Sequence, residues 1–294
     1  MPEIIPQSEL IINTDGSIYH LNLLPDDIAT DIITVGDPDR VDTVAKRLDE
    51  IYLTKHKREF KTVTGRVGGK DVTIISTGIG TDNIDIVFTE LDILANVDLA
   101  TRVKKEVHTM LNFYRIGTSG ALREDIAVDS TIISAKAIGL EGLMHYYKYE
   151  EREDEKDIAE QAHRALRLGV PNITPYVTSA DSELVAKYTN LGRPGITVTA
   201  TGFYGPQGRK VLAAPRHANF LDNMAMIKNQ ELMVTNLEME TAGIYGMASL
   251  LGHKAISFNA ILANRVTQQF SRQPKETVEK LMDEFFEVFL LEEV

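Results

Sequence analysis

Short runs of β-branched and other apolar residues, most closed by glycine or another small residue, recur along the 294-residue chain. They span Asp31 to Gly36, Val72 to Gly78, Asn112 to Gly117, Thr131 to Ala135, Ile196 to Thr201, Val234 to Met239 and Ala255 to Ala263. Runs of this length with few internal polar positions predict buried strands. Between several of them the period changes. Ile84, Val87, Phe88, Leu91, Leu94 and Ala95 follow a 3.6-residue repeat, which predicts an amphipathic helix, and Thr241 to Leu250 predicts a helix of mainly small residues. After Pro274, the residues Val278, Leu281, Met282, Phe285, Phe286 and Phe289 fall on one stripe, as in a closing helix docked on the core. Strands alternating with helices predict an α/β sheet packed by helices on its faces. Glu150 to Glu160 holds seven acids and two bases and is expected to be a solvated connection or an exposed helix face. No Gly/Ser- or Pro-rich segment accompanies it and no internal repeat is present, so residues 1–294 are expected to form a single domain.

Composition narrows the class of partner. With 31 Lys plus Arg against 43 Asp plus Glu, the net charge of −12 disfavours binding to a phosphate backbone, so no nucleic acid is expected. The absence of cysteine removes disulfides, thiolate zinc sites and a Cys nucleophile together, and fits a reducing compartment. The opening MPEIIPQSEL lacks the basic start and apolar run of an export signal. No apolar stretch approaches the roughly 20 residues of a membrane helix, and the seven histidines show no HExxH or comparable spacing. A cytoplasmic location, no membrane and no protein-held metal are the expectations.

Five motifs can carry chemistry. Gly36-Asp37-Pro38-Asp39-Arg40 follows a strand and places Pro38 near the start of a helix, so backbone N–H groups and Arg40 would face an anion; an ordinary strand-to-helix turn is the alternative. Ser76-Thr77-Gly78-Ile79-Gly80 resembles half of a dinucleotide fingerprint, but Asn83 stands where a third glycine belongs, and a tight turn is as good a reading. Arg115-Ile116-Gly117-Thr118-Ser119-Gly120 puts a guanidinium on an apolar strand, where its partner is either a structural carboxylate or a bound phosphate. Gly202 to Arg209 joins Phe203, Tyr204, Gln207 and Arg209 in a loop that could read the edge of a heterocycle, or could be plain surface. Glu238-Met239-Glu240 ends an apolar strand in two acids, suited either to vicinal hydroxyls or to a helix start.

The order of these motifs resembles the uridine phosphorylase branch of the nucleoside phosphorylase-I family over nearly the full length. That resemblance implies a single domain with a central mixed, partly barrel-like β-sheet flanked by helices. It implies phosphate ligands at Gly36, Arg40, Arg58 (in His56-Lys57-Arg58-Glu59-Phe60), Arg115 and Thr118, and ribose ligands at Met239 and Glu240. His20, in Tyr19-His20-Leu21, would reach the 5′-hydroxyl in a neighbouring subunit. Phe203 would lie beside the base, with Gln207 and Arg209 on its polar edge and Arg265 behind Gln207. Ser257 to Arg265 carries no acid, which implies uracil over purine. Arg115, Gln207, Arg209 and Glu240 would be the catalytic set.

The implied reaction is phosphorolysis of uridine, with deoxyuridine or thymidine as further candidates, in pyrimidine salvage. Inorganic phosphate would be a substrate, no cofactor is expected, and the active unit would be at least a homodimer, with a hexamer of such dimers as the further alternative. The other readings are a purine nucleoside phosphorylase or a nucleosidase of the same fold, and a nucleoside-binding protein without activity. Three departures stand out. Asp98 to Met110 is longer than the corresponding stretch, Ile173 to Ile196 does not align readily with the family, and Arg58 stands one residue later than in the H-R-E-F pattern.

Overall fold

A computed structural model describes residues 3–291 apart from 168 and 218. Among the described residues are ten strands of four or more residues and seven α-helices. The strands are β1 (Asp31–Val35), β2 (Glu50–Lys57), β3 (Phe60–Val67), β4 (Lys70–Ser76), β5 (Asn112–Ala121), β6 (Thr131–Gly139), β7 (Tyr176–Ser179), β8 (Arg193–Thr199), β9 (Leu232–Glu238) and β10 (Lys254–Asn264). The helices are α1 (Pro38–Ala45), α2 (Thr81–Asn96), α3 (Glu153–Leu166), α4 (Ser182–Lys187), α5 (Phe220–Met224), α6 (Thr241–Leu251) and α7 (Pro274–Phe289).

Five strands close on themselves. β5 pairs in parallel with β10, β10 antiparallel with β6, β6 in parallel with β8, β8 in parallel with β9, and β9 returns antiparallel to β5 through Asn236 and Leu237. The sheet then runs outward from β5 through β1, β4, β3 and β2. The expected mixed, partly barrel-like sheet is therefore present. All seven runs read as strands are strands. β2 and β3 carry no apolar run, since β2 is an edge strand of mostly exposed residues and β3 spaces Phe60, Val63 and Val67 among threonine, lysine, glycine and arginine.

The α7 stripe packs against Ile33, Tyr114, Ile256 and Phe258 of the sheet, while the apolar face of α2 packs with α6 on another part of it. The acidic segment needs a correction: its solvated reading fails at Glu155. From Glu153 the chain is helix α3, whose buried face repeats as Glu155, Ile158, Ala162 and Leu166. Glu155 is buried because it accepts bonds from the Arg152 N–H at 2.8 Å and the Ser179 hydroxyl at 2.6 Å, so its charge is solvated by the protein. None of the described helices is long and apolar enough to cross a membrane.

Candidate active site

The parallel strands β1 and β4 end beside one another, and their following turns open onto a cavity of about 750 Å3. Such a crevice beyond the carboxyl ends of strands is where α/β folds usually hold ligands. Gly36, Arg40, Arg115, Thr118, Phe203, Gln207, Arg209, Met239 and Glu240 all line it.

On the β1 side, Asp37 caps α1 by accepting the Asp39 N–H at 2.9 Å, and Pro38 takes the first helical position. That turn carries Arg40 into the cavity, where burial and then the nearby Arg115 charge lower its pKa. Arg115 is buried on β5. Its Nη2 lies 2.6 Å from Glu240 Oε2 and 3.0 Å from Glu238 Oε2. Burial works against this guanidinium, yet the two carboxylates together hold its pKa above the ordinary value. The strand can seat it only because position 117 is glycine: a Cβ there would lie 2.0 Å from Arg115 Nη1.

The two acids of Glu238-Met239-Glu240 divide their work. Glu238 is consumed by the fold, accepting from the Glu240 and Thr241 N–H groups and from the Thr199 hydroxyl at 2.7 Å, which fixes the start of α6. Glu240 accepts the Gly80 N–H at 2.9 Å and faces the cavity. Gly80 reaches it from a backbone with φ of +94°, open to glycine and strained for other residues. The Ser76 to Gly80 segment is thus a turn that anchors Glu240. Burial first, and the neighbouring Glu238 second, push the Glu240 pKa up, against the pull of Arg115.

At the opposite wall Gln207 is buried and Arg209 lies over the Phe203 ring, 3.6 Å from its centre. Arg209 Nη1 donates to Gln207 Oε1 at 2.5 Å and to the Phe203 carbonyl at 2.6 Å, so the loop folds as one unit. Arg265 donates to the Gln207 carbonyl at 3.0 Å, the support expected of it. Burial, then the Arg265 charge, bring the Arg209 pKa down to about 10.

Two expected ligands lie elsewhere. Arg58 sits exposed in the turn between β2 and β3 at φ of +57°, and His20 is held by Glu90, which accepts from the His20 and Leu21 N–H groups and meets His20 Nδ1 at 2.6 Å. Neither lines the cavity of its own chain. The fold also gathers Asp92, His108 and His253, which sequence spacing does not reveal. The Leu111 N–H donates to His253 Nδ1 at 3.2 Å, so in neutral His253 the proton sits on Nε2, facing Asp92 Oδ1 at 3.2 Å.

Residues 30–291 match the model of the phosphorylase superfamily. The chain belongs to that superfamily. A uridine phosphorylase of Thermococcus kodakarensis is 30% identical over 270 residues, covering 91% of this chain and 83% of that protein. A uridine phosphorylase of Haemophilus influenzae is 29% identical over 273 residues, covering 90% and 94%. Among solved structures, a Trypanosoma brucei nucleoside phosphorylase, reported to show uridine phosphorylase activity, superposes with a TM-score of 0.86 at 27% identity, covering 96% of this chain and 98% of its own.

Within this superfamily fold, motif reading passed over Glu59, Asn83 and Ser119, which also line the cavity. Ser119 had a signal, the second hydroxyl of the Thr118-Ser119 pair. Glu59 and Asn83 had none, because each reaches the cavity from a turn or helix start whose aim only the tertiary fold decides.

Proposed function

We propose that this chain is a uridine phosphorylase that transfers the ribosyl group of uridine to inorganic phosphate. One observation carries the reading: a single cavity holds a paired cation site, Arg40 and Arg115, a carboxylate, Glu240, and a planar polar reader, Gln207 with Arg209 on Phe203. Those three features match the three parts of the reaction, namely an anionic nucleophile, a polyhydroxyl sugar and a flat base.

Gly36, Arg40, Arg115 and Thr118 bind phosphate beneath C1′, while Met239 and Glu240 hold the ribose, Glu240 accepting from its hydroxyls. As the glycosidic bond lengthens, positive charge spreads over C1′ and the ring oxygen, and negative charge builds on the base. Gln207 and Arg209 stabilise that base. Phosphate oxygen bonds to C1′ from the opposite face, giving α-ribose 1-phosphate with inversion and no covalent enzyme intermediate. A water nucleophile would have no use for paired arginines, which supports phosphorolysis over hydrolysis. β10 lends Leu262 and Ala263 to the cavity and no acid, which supports a pyrimidine over a purine.

Arg58 and His20, being outside the cavity of their own chain, are assigned to the site of a second copy, so the active unit is a homodimer at least. The 294 residues act as one domain in the cytoplasm, in pyrimidine salvage, with phosphate as co-substrate. The test is release of uracil from uridine with and without phosphate. Release that requires phosphate or arsenate supports the assignment; equal release without either overturns it.

A further inference from the structure

A second cavity, of about 460 Å3, lies between the end of α3 and the chain that leads from Arg209 into α5. It shares no lining residue with the first. Lys210, Arg216 and His217 give it three basic side chains, and Asn219 and Asn223 give it two amides. No acid is among the described residues that line it.

In a chain with 43 acids against 31 Lys plus Arg, basic side chains usually find a carboxylate. Lys61 is taken by Asp42 at 2.6 Å, Arg66 by Asp71 at 2.8 Å and Arg193 by Asp125 at 2.8 Å. The side chains of Lys210, Arg216 and His217 have no hydrogen bond or ion pair among the described residues. Two like charges held around one concavity, with no acid to offset them, raise the local concentration of anions. Their donors are left for a ligand.

The concavity is built into the packing. Gly169 follows α3, and a Cβ there would stand 2.9 Å from Phe220 Cβ and 3.4 Å from His217 Cβ, so glycine lets both residues close against the helix end. Asn223 Nδ2 donates to the Ala165 carbonyl of α3 at 3.5 Å, which leaves its Oδ1 as an acceptor. The volume falls within the range of pockets for small organic ligands, about 300 to 1,000 Å3. A guanidinium grips phosphate oxygens as a fork and an ammonium pairs with them as a point charge, while amides both donate to and accept from sugar hydroxyls. A phosphate monoester brings nearly two negative charges to meet them. We propose that this cavity is a second binding site, for a phosphate monoester of a sugar, with Lys210, Arg216 and His217 on the phosphate and Asn219 and Asn223 on the hydroxyls. The site is separate from the reaction cavity and does not rest on the phosphorolysis reading.

Titration calorimetry of the whole protein tests this with three probes: ribose 5-phosphate, uridine 5′-monophosphate and inorganic phosphate. Each is run on the unmodified chain, on an Arg216→Ala/His217→Ala double variant and on Lys210→Met; all three positions are exposed, so the core is left intact. The expected result is a monoester site that weakens about tenfold in both variants, as the loss of a charged hydrogen bond implies. Uridine cleavage should stay unchanged in the double variant, since neither residue lines the first cavity. Tighter binding of uridine 5′-monophosphate assigns the site to nucleotides, and equal or tighter binding of ribose 5-phosphate assigns it to free sugar phosphates. A crystal structure with the tighter probe should place its phosphorus between Lys210 and Arg216. Failure of both monoesters to bind, binding of inorganic phosphate alone, or monoester binding unmoved by either variant would overturn the proposal. Binding is read without turnover, so the result stands whether or not uridine is cleaved.

Discussion

Gly117→Ala tests how tightly the fold sets Arg115. The new Cβ would stand 2.0 Å from Arg115 Nη1, 2.4 Å from Cζ and 2.7 Å from Nη2, whereas ordinary contact begins at 3.4 Å. The guanidinium has to retreat by about 1.4 Å, and misplacing a positioning group by an ångström typically costs about a hundredfold in rate. It cannot retreat freely, since it is bound to Glu240 at 2.6 Å, Glu238 at 3.0 Å and Asn259 at 3.0 Å. Overpacking of this kind costs about 1 to 3 kcal/mol of stability, and partly unpairing a buried cation adds to that. The assay is uracil release at varied phosphate, with a melting curve alongside. We expect kcat/KM for phosphate to fall about a hundredfold, together with a lower Tm. Activity within twofold of the parent would refute the claim that Gly117 is what lets β5 carry a cavity-facing arginine.

Glu240 must be ionised to accept the sugar hydroxyls, and its pKa is raised above the ordinary 4.5, so its charged form is lost at a higher pH than for an ordinary glutamate. The acid limb of kcat/KM for uridine should therefore lie above pH 4.5 and vanish in Glu240→Gln; an unmoved limb in that variant would assign it to another group. Gln207→Ala should cost about 1 to 3 kcal/mol in kcat/KM for uridine and narrow the preference over inosine, and an unchanged preference would remove the loop from base recognition. Mixing Arg58→Ala with Arg115→Ala protein after reversible dissociation should restore activity, since one site of a mixed dimer then holds both arginines. If exchange occurs and no activity returns, Arg58 does not complete the site of a second copy.

Strand positions were legible because the barrel strands are buried on both faces, and Val, Ile and Phe dominate them. The α7 stripe was legible for the opposite reason, one apolar face against solvent. β2 was hidden because an edge strand such as Glu50–Lys57 buries too little to impose a pattern. Glu155 was misread because charge density says nothing about which helix face turns inward, and a carboxylate solvated by backbone N–H groups and hydroxyls survives burial. In the cavity, the motifs of Gly36 to Arg40, Arg115 to Gly120 and Gly202 to Arg209 were visible since glycines, aromatics and arginines rarely gather for packing alone. The alternative weighed for Arg115, a structural carboxylate or a bound phosphate, proved too narrow: it pairs with two carboxylates and faces the cavity as well. The bond from Arg115 to Asn259 at 3.0 Å was illegible, because a buried polar residue on β10 acquires its partner only when the barrel closes.

The identity of the nucleophile is best tested by the product formed with the base. Uridine, phosphate and the enzyme are incubated and followed by phosphorus and proton NMR. The expected product is ribose 1-phosphate, solely the α-anomer, in one-to-one ratio with uracil. Free ribose appearing with uracil while phosphate stays unconsumed would contradict phosphorolysis and return Arg40 and Arg115 to a structural role.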